Sequence, residues 1–305
     1  MNGTIGIDIG GHGIKGAVVD ADGRVLQRGR VQLAPAQRSI DVVEEALAGL
    51  VRELDPSRSL PVGVGVPGFF DERAGVLRGS PNFPGWEDQP VPARLAALLG
   101  VPVATGNDAN CAVLGEAWVG AAAGAEGVVM LTLGTGVGSG LLVHGRLVTG
   151  VRGAAGEGGH LPLHPGGRRC GCGRLGCLEA HASGPGLVRT GVEEHARDGE
   201  GPAPERAEDV FEGDAPWQVR ARGRFVADLA QGLVPIVHLL SPEVVVIGGG
   251  VAGAWERFED GLRKELQDRA IPACWSGARL VPAALGADAG ALGAARLAQI
   301  AATIG

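Results

Sequence analysis

A strand, a run of glycines and a second strand occur twice in this chain, once at its start and once near its middle. The first unit covers residues 5–9, 10–13 and 14–19. The second covers 127–133, 134–140 and 141–144. Glycine adopts backbone conformations closed to other residues, so the chain can reverse tightly and present successive N–H groups as an anion-binding concavity. After the first unit, the Asp22-Gly23 turn leads to a strand over 25–31. After the second, the Gly145-Arg146 turn leads to a strand over 147–149. Alternating apolar residues between glycine turns predict a meander in each case. The spacing implies a weak duplication at the scale of a domain, not a short-period array.

Other elements follow from pattern. Helices are expected over about 39–54, over 94–99 and from the Asn107-Asp108 cap to residue 119. The cap is expected because Asn and Asp satisfy orphan N–H groups at a helix start. Residues 62–66, 101–104 and 244–247 read as buried strands. The charged, glycine- and proline-rich stretch over 197–217 reads as an exposed loop or a loop between short helices. A helix over 223–240 is expected to kink or break at Pro235.

The chain of 305 residues has room for two domains, and 45% hydrophobic residues supply a substantial core. Its 54 glycines cluster instead of recurring every third position, which excludes a collagen-like reading. A net charge of −7, no basic block, no Tyr and 4% aromatics leave neither a phosphate-neutralising patch nor a base-stacking platform. No nucleic-acid partner is therefore expected. No apolar run reaches the length of a bilayer span, and no leader precedes the first strand. Neither a membrane nor secretion is expected, and the localisation read here is cytoplasmic.

The stretch 157–179 carries the most specific chemistry. Glu157 and His160 are followed by Cys170, Cys172, Cys177 and Glu179. One imidazole and three thiols make the four-ligand set of a closed zinc site. Gly171, Gly173 and Gly176 allow the turns that bring the sulfurs to one point. Two thiols one residue apart bridge badly as a disulfide. A catalytic zinc would need an open position that four protein ligands do not leave. Buried free thiols seldom crowd into a small-residue loop. The metal reads as scaffolding that fixes Glu157 and Glu179. Three cysteines on a metal suit a reducing compartment, with Cys111 and Cys274 as buried structural thiols.

Two glycine loops can hold a polyphosphate from opposite sides, though neither is a Walker A sequence nor a dinucleotide fingerprint. Asp8, beside the first loop, can hold hydrated Mg²⁺ against phosphate oxygens or merely cap a turn. Asp108 is the candidate base. Its reference pKa is too low to deprotonate a free alcohol, but in phosphoryl transfer the proton can leave late. Taken alone, it also fits an N-cap with no chemistry. Asn107, Glu157, His160 and Glu179 are of the type that grips a polyol. His160 can use one ring nitrogen for zinc and the other toward the sugar.

These residues resemble the ROK family of sugar kinases and sugar-responsive repressors over nearly the whole chain, and most closely its bacterial glucokinases. Ile7-Asp8-Ile9-Gly10-Gly11 is similar to the first phosphate motif, and residues 133–138 to the second. Gly65-Val66-Pro67-Gly68 and Asn82-Phe83-Pro84-Gly85-Trp86 are similar to the sugar-domain signatures. Gly106-Asn107-Asp108-Ala109-Asn110 is similar to the catalytic segment. Residues 157–179 resemble the family signature itself, and residues 247–251 the adenosine motif.

The resemblance implies an α/β, actin-like (ribonuclease H-like) kinase of two lobes. A small lobe of residues 1–117 plus 289–305 and a large lobe of 118–288, with the zinc motif, would close on the sugar and exclude water. The activity implied is transfer of the ATP γ-phosphoryl to glucose, with Asp108 as base. Gly68, Asn82, Asn107, Asp108, Glu157, His160 and Glu179 would hold the sugar. Asp8, Gly10, Gly11, His12, Gly134, Thr135, Gly136, Gly248, Gly249 and Gly250 would hold Mg²⁺-ATP, with Asp8 on the magnesium. His160, Cys170, Cys172 and Cys177 match the ligands of a structural Zn²⁺. Relatives are commonly dimers or tetramers, so a homo-oligomer is expected by analogy.

The chain departs from the family at the first phosphate motif. His12-Gly13 stands where Thr-Lys is usual, and Lys15 follows. This is similar to polyphosphate-dependent glucokinases, which lack the cysteine signature, so ATP remains the expected donor. His12 reads more simply as a solvent-facing turn residue. A kinase for mannose, fructose or an N-acetylated hexosamine is the nearest alternative. A sugar-sensing regulator is the other, but its DNA-binding arm would precede the first phosphate motif, which here begins near Met1.

Overall fold

The computed structural model describes residues 3–11, 13–71, 74–80, 83 and 85–304. In chain order, β1 (Thr4–Gly10), β2 (Gly13–Val19) and β3 (Val25–Gln32) precede α1 (Ile40–Leu54) and β4 (Val62–Val66). The hairpin β5 (Phe69–Asp71) and β6 (Val76–Gly79) leads to α2 (Val91–Leu99), β7 (Val103–Asn107) and α3 (Asp108–Val119). Next come β8 (Val128–Leu133), β9 (Val137–Val143), β10 (Arg146–Leu147), α4 (Glu179–Ala182), α5 (Gly184–Asp198), α6 (Ala207–Phe211) and α7 (Pro216–Leu240). The chain closes with β11 (Val244–Gly248), α8 (Glu259–Arg269), α9 (Pro272–Trp275), β12 (Arg279–Pro282) and α10 (Ala289–Ile304).

The duplication is visible in the sheets. One runs β3-β2-β1-β4-β7 and the other β10-β9-β8-β11-β12. Each joins a strand meander to two further strands parallel to its first strand. This repeated order is the half-unit of the actin-like ATPase fold. The chain divides into two compact units. One is Met1–Ala125, Gly140–Gly156 and Ala284–Gly305, and the other is Glu126–Ser139 and Glu157–Ala283. The division thus runs through β9, whereas the sequence suggested boundaries at 117 and 288.

In the first unit, glycines alternate with branched residues along β1 and β4. Ile5, Ile7, Val62 and Val64 point to one face, where they pack with Leu47, Leu50 and Leu54 of α1 and Leu95 and Leu99 of α2. The other face carries Gly6 and Gly63. A Cβ at Gly6 would lie 1.8 Å from the Ala291 carbonyl oxygen, and one at Gly63 1.8 Å from that of Ala294. Only bare backbone lets α10 settle this close. α10 meets α3 in the same way, since a Cβ at Gly293 would lie 1.6 Å from the Cys111 carbonyl oxygen.

Several boundaries differ from those the sequence suggested. The strand expected at 101–104 is β7, three residues later at its end. The glycine turn expected over 134–140 is confined to its first half, because β9 already begins at Val137. Gly140 lies within that strand, where a Cβ would meet the Ala109 carbonyl oxygen at 2.5 Å. The strand expected at 147–149 is the two-residue β10. The helix α7 starts earlier than expected and continues through Pro235. Pro235 and Gln231 are both exposed, so the carbonyl that loses its helical N–H partner faces water. By length and composition α7 alone, among the described residues, resembles a membrane span. It packs against α5 and α8, and half of its most apolar window is buried, as in a core helix.

Candidate active site

In the first unit, the candidate residues gather at the carboxyl ends of parallel strands, where open α/β sheets bind ligands. Asp8 lies two residues before the end of β1, Gly68 follows β4, and Asn107 ends β7. Asn107 is the N-cap of α3: its side-chain oxygen accepts from the N–H groups of Ala109 and Asn110 at 2.9 and 3.1 Å. Its amide nitrogen donates to the Gly68 carbonyl at 3.0 Å. The cap therefore ties the β4 and β7 ends together. Asp108 opens α3, and its Oδ1 accepts from the Ala109 N–H at 2.9 Å. A carboxylate here is favoured by the helix N-terminus. Gly68 adopts φ 123°, and a Cβ there would meet the Gly79 carbonyl oxygen at 2.3 Å.

Asp8 pairs in register with Lys15 on β2 and Gly65 on β4. Burial pushes its carboxyl up, opposed by Lys15. Gly290, at the start of α10, stands over it, for a Cβ there would lie 2.7 Å from Asp8 Cγ. Cys111 lies beneath, fully buried, and burial first, then Asp8 and Asp108, hold its thiol neutral. Gly10 and Gly13 face each other where β1 returns into β2, with Gly11 in the turn. The expected ligands His12 and Asn82 lie outside the described residues. Phe83 and Trp86, which flank the Asn82 segment, are buried in the core.

In the second unit, the two remaining glycine loops follow neighbouring parallel strands. Gly134–Gly136 follows β8, and Gly248–Gly250 ends β11, with Gly248 in register with Thr132. The Gly134 N–H donates to the Gly136 carbonyl at 2.9 Å, and the Gly134 carbonyl accepts from Gly184 at 2.8 Å. Thr135 is exposed at the loop's tip. Gly249 has φ 83° and lies against the Leu133 backbone, where a Cβ would be 2.4 Å from the carbonyl oxygen.

The cysteine hairpin belongs to the same unit. Bridges pair Pro162 with Cys177 and Arg169 with Leu175. Gly173 and Gly176 turn with φ 85° and 77°. His160, Cys170, Cys172 and Cys177 each offer one ligand atom, and these four atoms all lie within 4.8 Å of one another. His160 Nδ1 is 3.6 Å from Cys170 Sγ, and Cys172 Sγ is 3.7 Å from Cys177 Sγ. Zinc–sulfur bonds of about 2.3 Å at tetrahedral angles place two sulfurs about 3.8 Å apart. The thiols are free, so the residues fit a closed zinc site. Burial pushes Cys170 and Cys177 up, and a metal charge would offset that cost of ionising three neighbouring thiols.

Glu179 connects this hairpin to the second glycine loop, a link not visible in the sequence. Its Oε1 accepts from Cys170 Sγ at 3.1 Å, and its Oε2 accepts from the Val137 N–H at 3.0 Å. Gly136 has no side chain because a Cβ would sit 2.5 Å from Glu179 Oε2. The Glu157 carbonyl accepts from the His160 N–H at 3.0 Å. Its carboxylate is 3.9 Å from His160 Nε2, the ring nitrogen turned away from the thiols. Burial pushes the Glu157 carboxyl up, His160 opposes this, and Glu179 adds to it.

Comparison with known proteins places the chain among sugar kinases by sequence and by fold. The sequence matches the ROK family over residues 4–301. It is 36% identical over 304 residues to a glucokinase of Thermotoga maritima, with 96% of each chain covered. The fold is similar to a ROK family glucokinase from Streptomyces griseus in complex with glucose and AMPPNP. That likeness has a TM-score of 0.83 and 32% identity, over 98% of this chain and 100% of that one. It is also similar to a ROK hexokinase from Thermus thermophilus, with a TM-score of 0.83 and 37% identity over 99% and 100%.

Proposed function

Because the chain belongs to the ROK family, we propose that it is a glucokinase, transferring the γ-phosphoryl of ATP to the 6-hydroxyl of glucose. The observation that carries this reading is its full-length likeness to the glucose- and AMPPNP-bound structure. Asp108 is the base. Held by the Ala109 N–H at the start of α3, its carboxylate orients the hydroxyl and accepts the proton as the oxygen bonds to phosphorus. A loose transition state places little demand on basicity, which suits a carboxylate.

Gly68, Asn82, Asn107, Glu157, His160 and Glu179 bind the other sugar hydroxyls. Asn107 has its carbonyl oxygen engaged by two helix N–H groups and one amide hydrogen by Gly68, which leaves one donor for the sugar. A site built from such groups strongly rejects an analogue lacking a hydroxyl. Gly10, Gly11, His12, Gly134, Thr135, Gly136, Gly248, Gly249 and Gly250 cradle the nucleotide. Asp8 orients Mg²⁺, which when bound neutralises phosphate charge. His160, Cys170, Cys172 and Cys177 hold a structural Zn²⁺ that keeps the hairpin taut. Glu179 lies two residues past the ligand Cys177 and accepts from the Val137 N–H, so that tautness also supports the second glycine loop. Free thiols on this hairpin suit a cytoplasmic enzyme, and the family likeness suits a homo-oligomer.

The test is ADP release, measured with glucose, mannose, fructose and N-acetylglucosamine, and donor consumption with ATP against inorganic polyphosphate. Glucose with ATP is expected to give the highest kcat/KM. No ADP release with any sugar would overturn the kinase reading. Faster turnover with polyphosphate would reassign the donor.

A further inference from the structure

Beside the cysteine hairpin lies a second group of ligating side chains that phosphoryl transfer does not use. His164 follows the metal-facing turn, His181 lies on α4 and Asp228 on α7. Their ligand atoms lie within 4.8 Å of one another. His164 Nε2 is 2.8 Å from Asp228 Oδ1, His181 Nδ1 is 3.6 Å from Asp228 Oδ2, and the two ring centroids are 4.5 Å apart. His181 is only 6% exposed, and neither of its ring nitrogens has a hydrogen-bond partner.

A plain hydrogen bond between His164 and Asp228 would account for those two residues. It does not account for His181. Leaving a buried donor or acceptor unsatisfied costs about 1–3 kcal/mol, and native interiors seldom do so. At 3.6 Å the His181–Asp228 contact is too long for a hydrogen bond. It has instead the separation of two ligands that share an ion.

We propose that His164, His181 and Asp228 form a second metal site, for a divalent transition ion of the zinc type, separate from the Cys/His centre. Two imidazoles and one carboxylate are the donor set of sites that bind zinc or ferrous iron with positions open to water. Such nitrogen-rich sets favour these ions over magnesium or calcium. Asp228 supplies negative charge. Of the nearby guanidinium groups, Arg168 pairs with Glu193 at 2.8 Å and Arg224 with Glu194 at 2.8 Å, so their charges are offset locally. An ion here would clip the hairpin and α4, which begins with Glu179, onto the long helix α7. His164 is well placed for this: its N–H donates to the Gly176 carbonyl, and its own carbonyl accepts from Gly167.

The experiment measures metal in the full-length protein, expressed with zinc in the medium and desalted, together with anomalous scattering at the zinc edge. Wild type is expected to carry about two zinc equivalents per chain, with a second peak about 2.0–2.2 Å from the His164 and Asp228 ligand atoms. His181→Phe and His164→Gln should each fall to about one equivalent and keep the thiolate-bound ion. His164 is partly exposed, so its variant tests the site even if the His181 variant misfolds. One equivalent in wild type, a second peak elsewhere, or two equivalents retained in a folded variant would overturn the proposal.

Discussion

The same substitution, glycine to alanine inside a helix, should have opposite effects at Gly293 and Gly223. In α10, a Cβ on Gly293 would lie 1.6 Å from the Cys111 carbonyl oxygen and 2.9 Å from the Gly115 nitrogen, all backbone atoms of α3. Restoring ordinary contact requires the helices to part by roughly 1.5 Å. α10 cannot slide away freely, because its other side rests on Gly6 and Gly63. Overpacking of this kind costs about 3 kcal/mol, against which alanine returns about 1 kcal/mol of helix propensity. The net loss of about 2 kcal/mol should lower Tm by roughly 4–8 °C. Gly223 in α7 is exposed and has nothing near its Cβ position, so Gly223→Ala should raise stability by about 1 kcal/mol. Circular dichroism melts of both variants, at equal zinc, give the comparison. Turnover should also fall in Gly293→Ala, because α3 carries Asp108 and an ångström of misplacement can cost about 100-fold. A Gly293→Ala melt at or above the wild-type Tm would refute the close-packing argument.

Three further outcomes are expected. Cys172→Ser should lose the thiolate-bound ion and raise KM for glucose. Full activity in zinc-free protein, measured by ADP release after elemental analysis, would contradict the scaffold role. Gly136→Ala should push Glu179 off the Val137 N–H. Losing a charged hydrogen bond is worth about 1.5–3 kcal/mol, so kcat/KM for glucose should drop roughly 10–150-fold, read by steady-state kinetics. Burial pushes the fully buried Glu194 carboxyl up, but hydrogen bonds from Arg224 and Arg220 outweigh it and hold it below its ordinary range. Its stabilisation is therefore complete above the unfolded carboxylate pKa of about 4.3 and is lost as pH falls through the depressed folded value. Acid titration of denaturant stability should show a shallower loss in Glu194→Gln than in wild type.

Local chemistry was legible in the sequence, and long-range approach was not. The alternation Ile5-Gly6-Ile7 and the run 62–66 read as strands because strand periodicity is local. Asn107 read as a cap because its partners lie two and three residues on. The thiols read as a metal set because their spacing is short and the turns between them demand glycine. Gly140 misled, since glycine in a loop-like context suggests a turn, whereas this one admits the Ala109 carbonyl from 31 residues earlier. Pro235 misled because its effect depends on which helix face meets water. The role of α10 was hidden for a related reason: Gly6, Gly63, Gly115 and Gly293 are ordinary glycines until the backbone opposite each is known. His181 and Asp228 meet only in three dimensions, one on α4 and the other on α7.

Glucose affinity and turnover measured together in Asp108→Asn test the catalytic assignment most directly. Asparagine keeps the size and an oxygen for the Ala109 N–H but cannot take the hydroxyl proton. Calorimetry should show glucose binding within a few-fold of wild type, while ADP release falls roughly 10²–10⁴-fold. Turnover close to wild type would remove Asp108 from the mechanism.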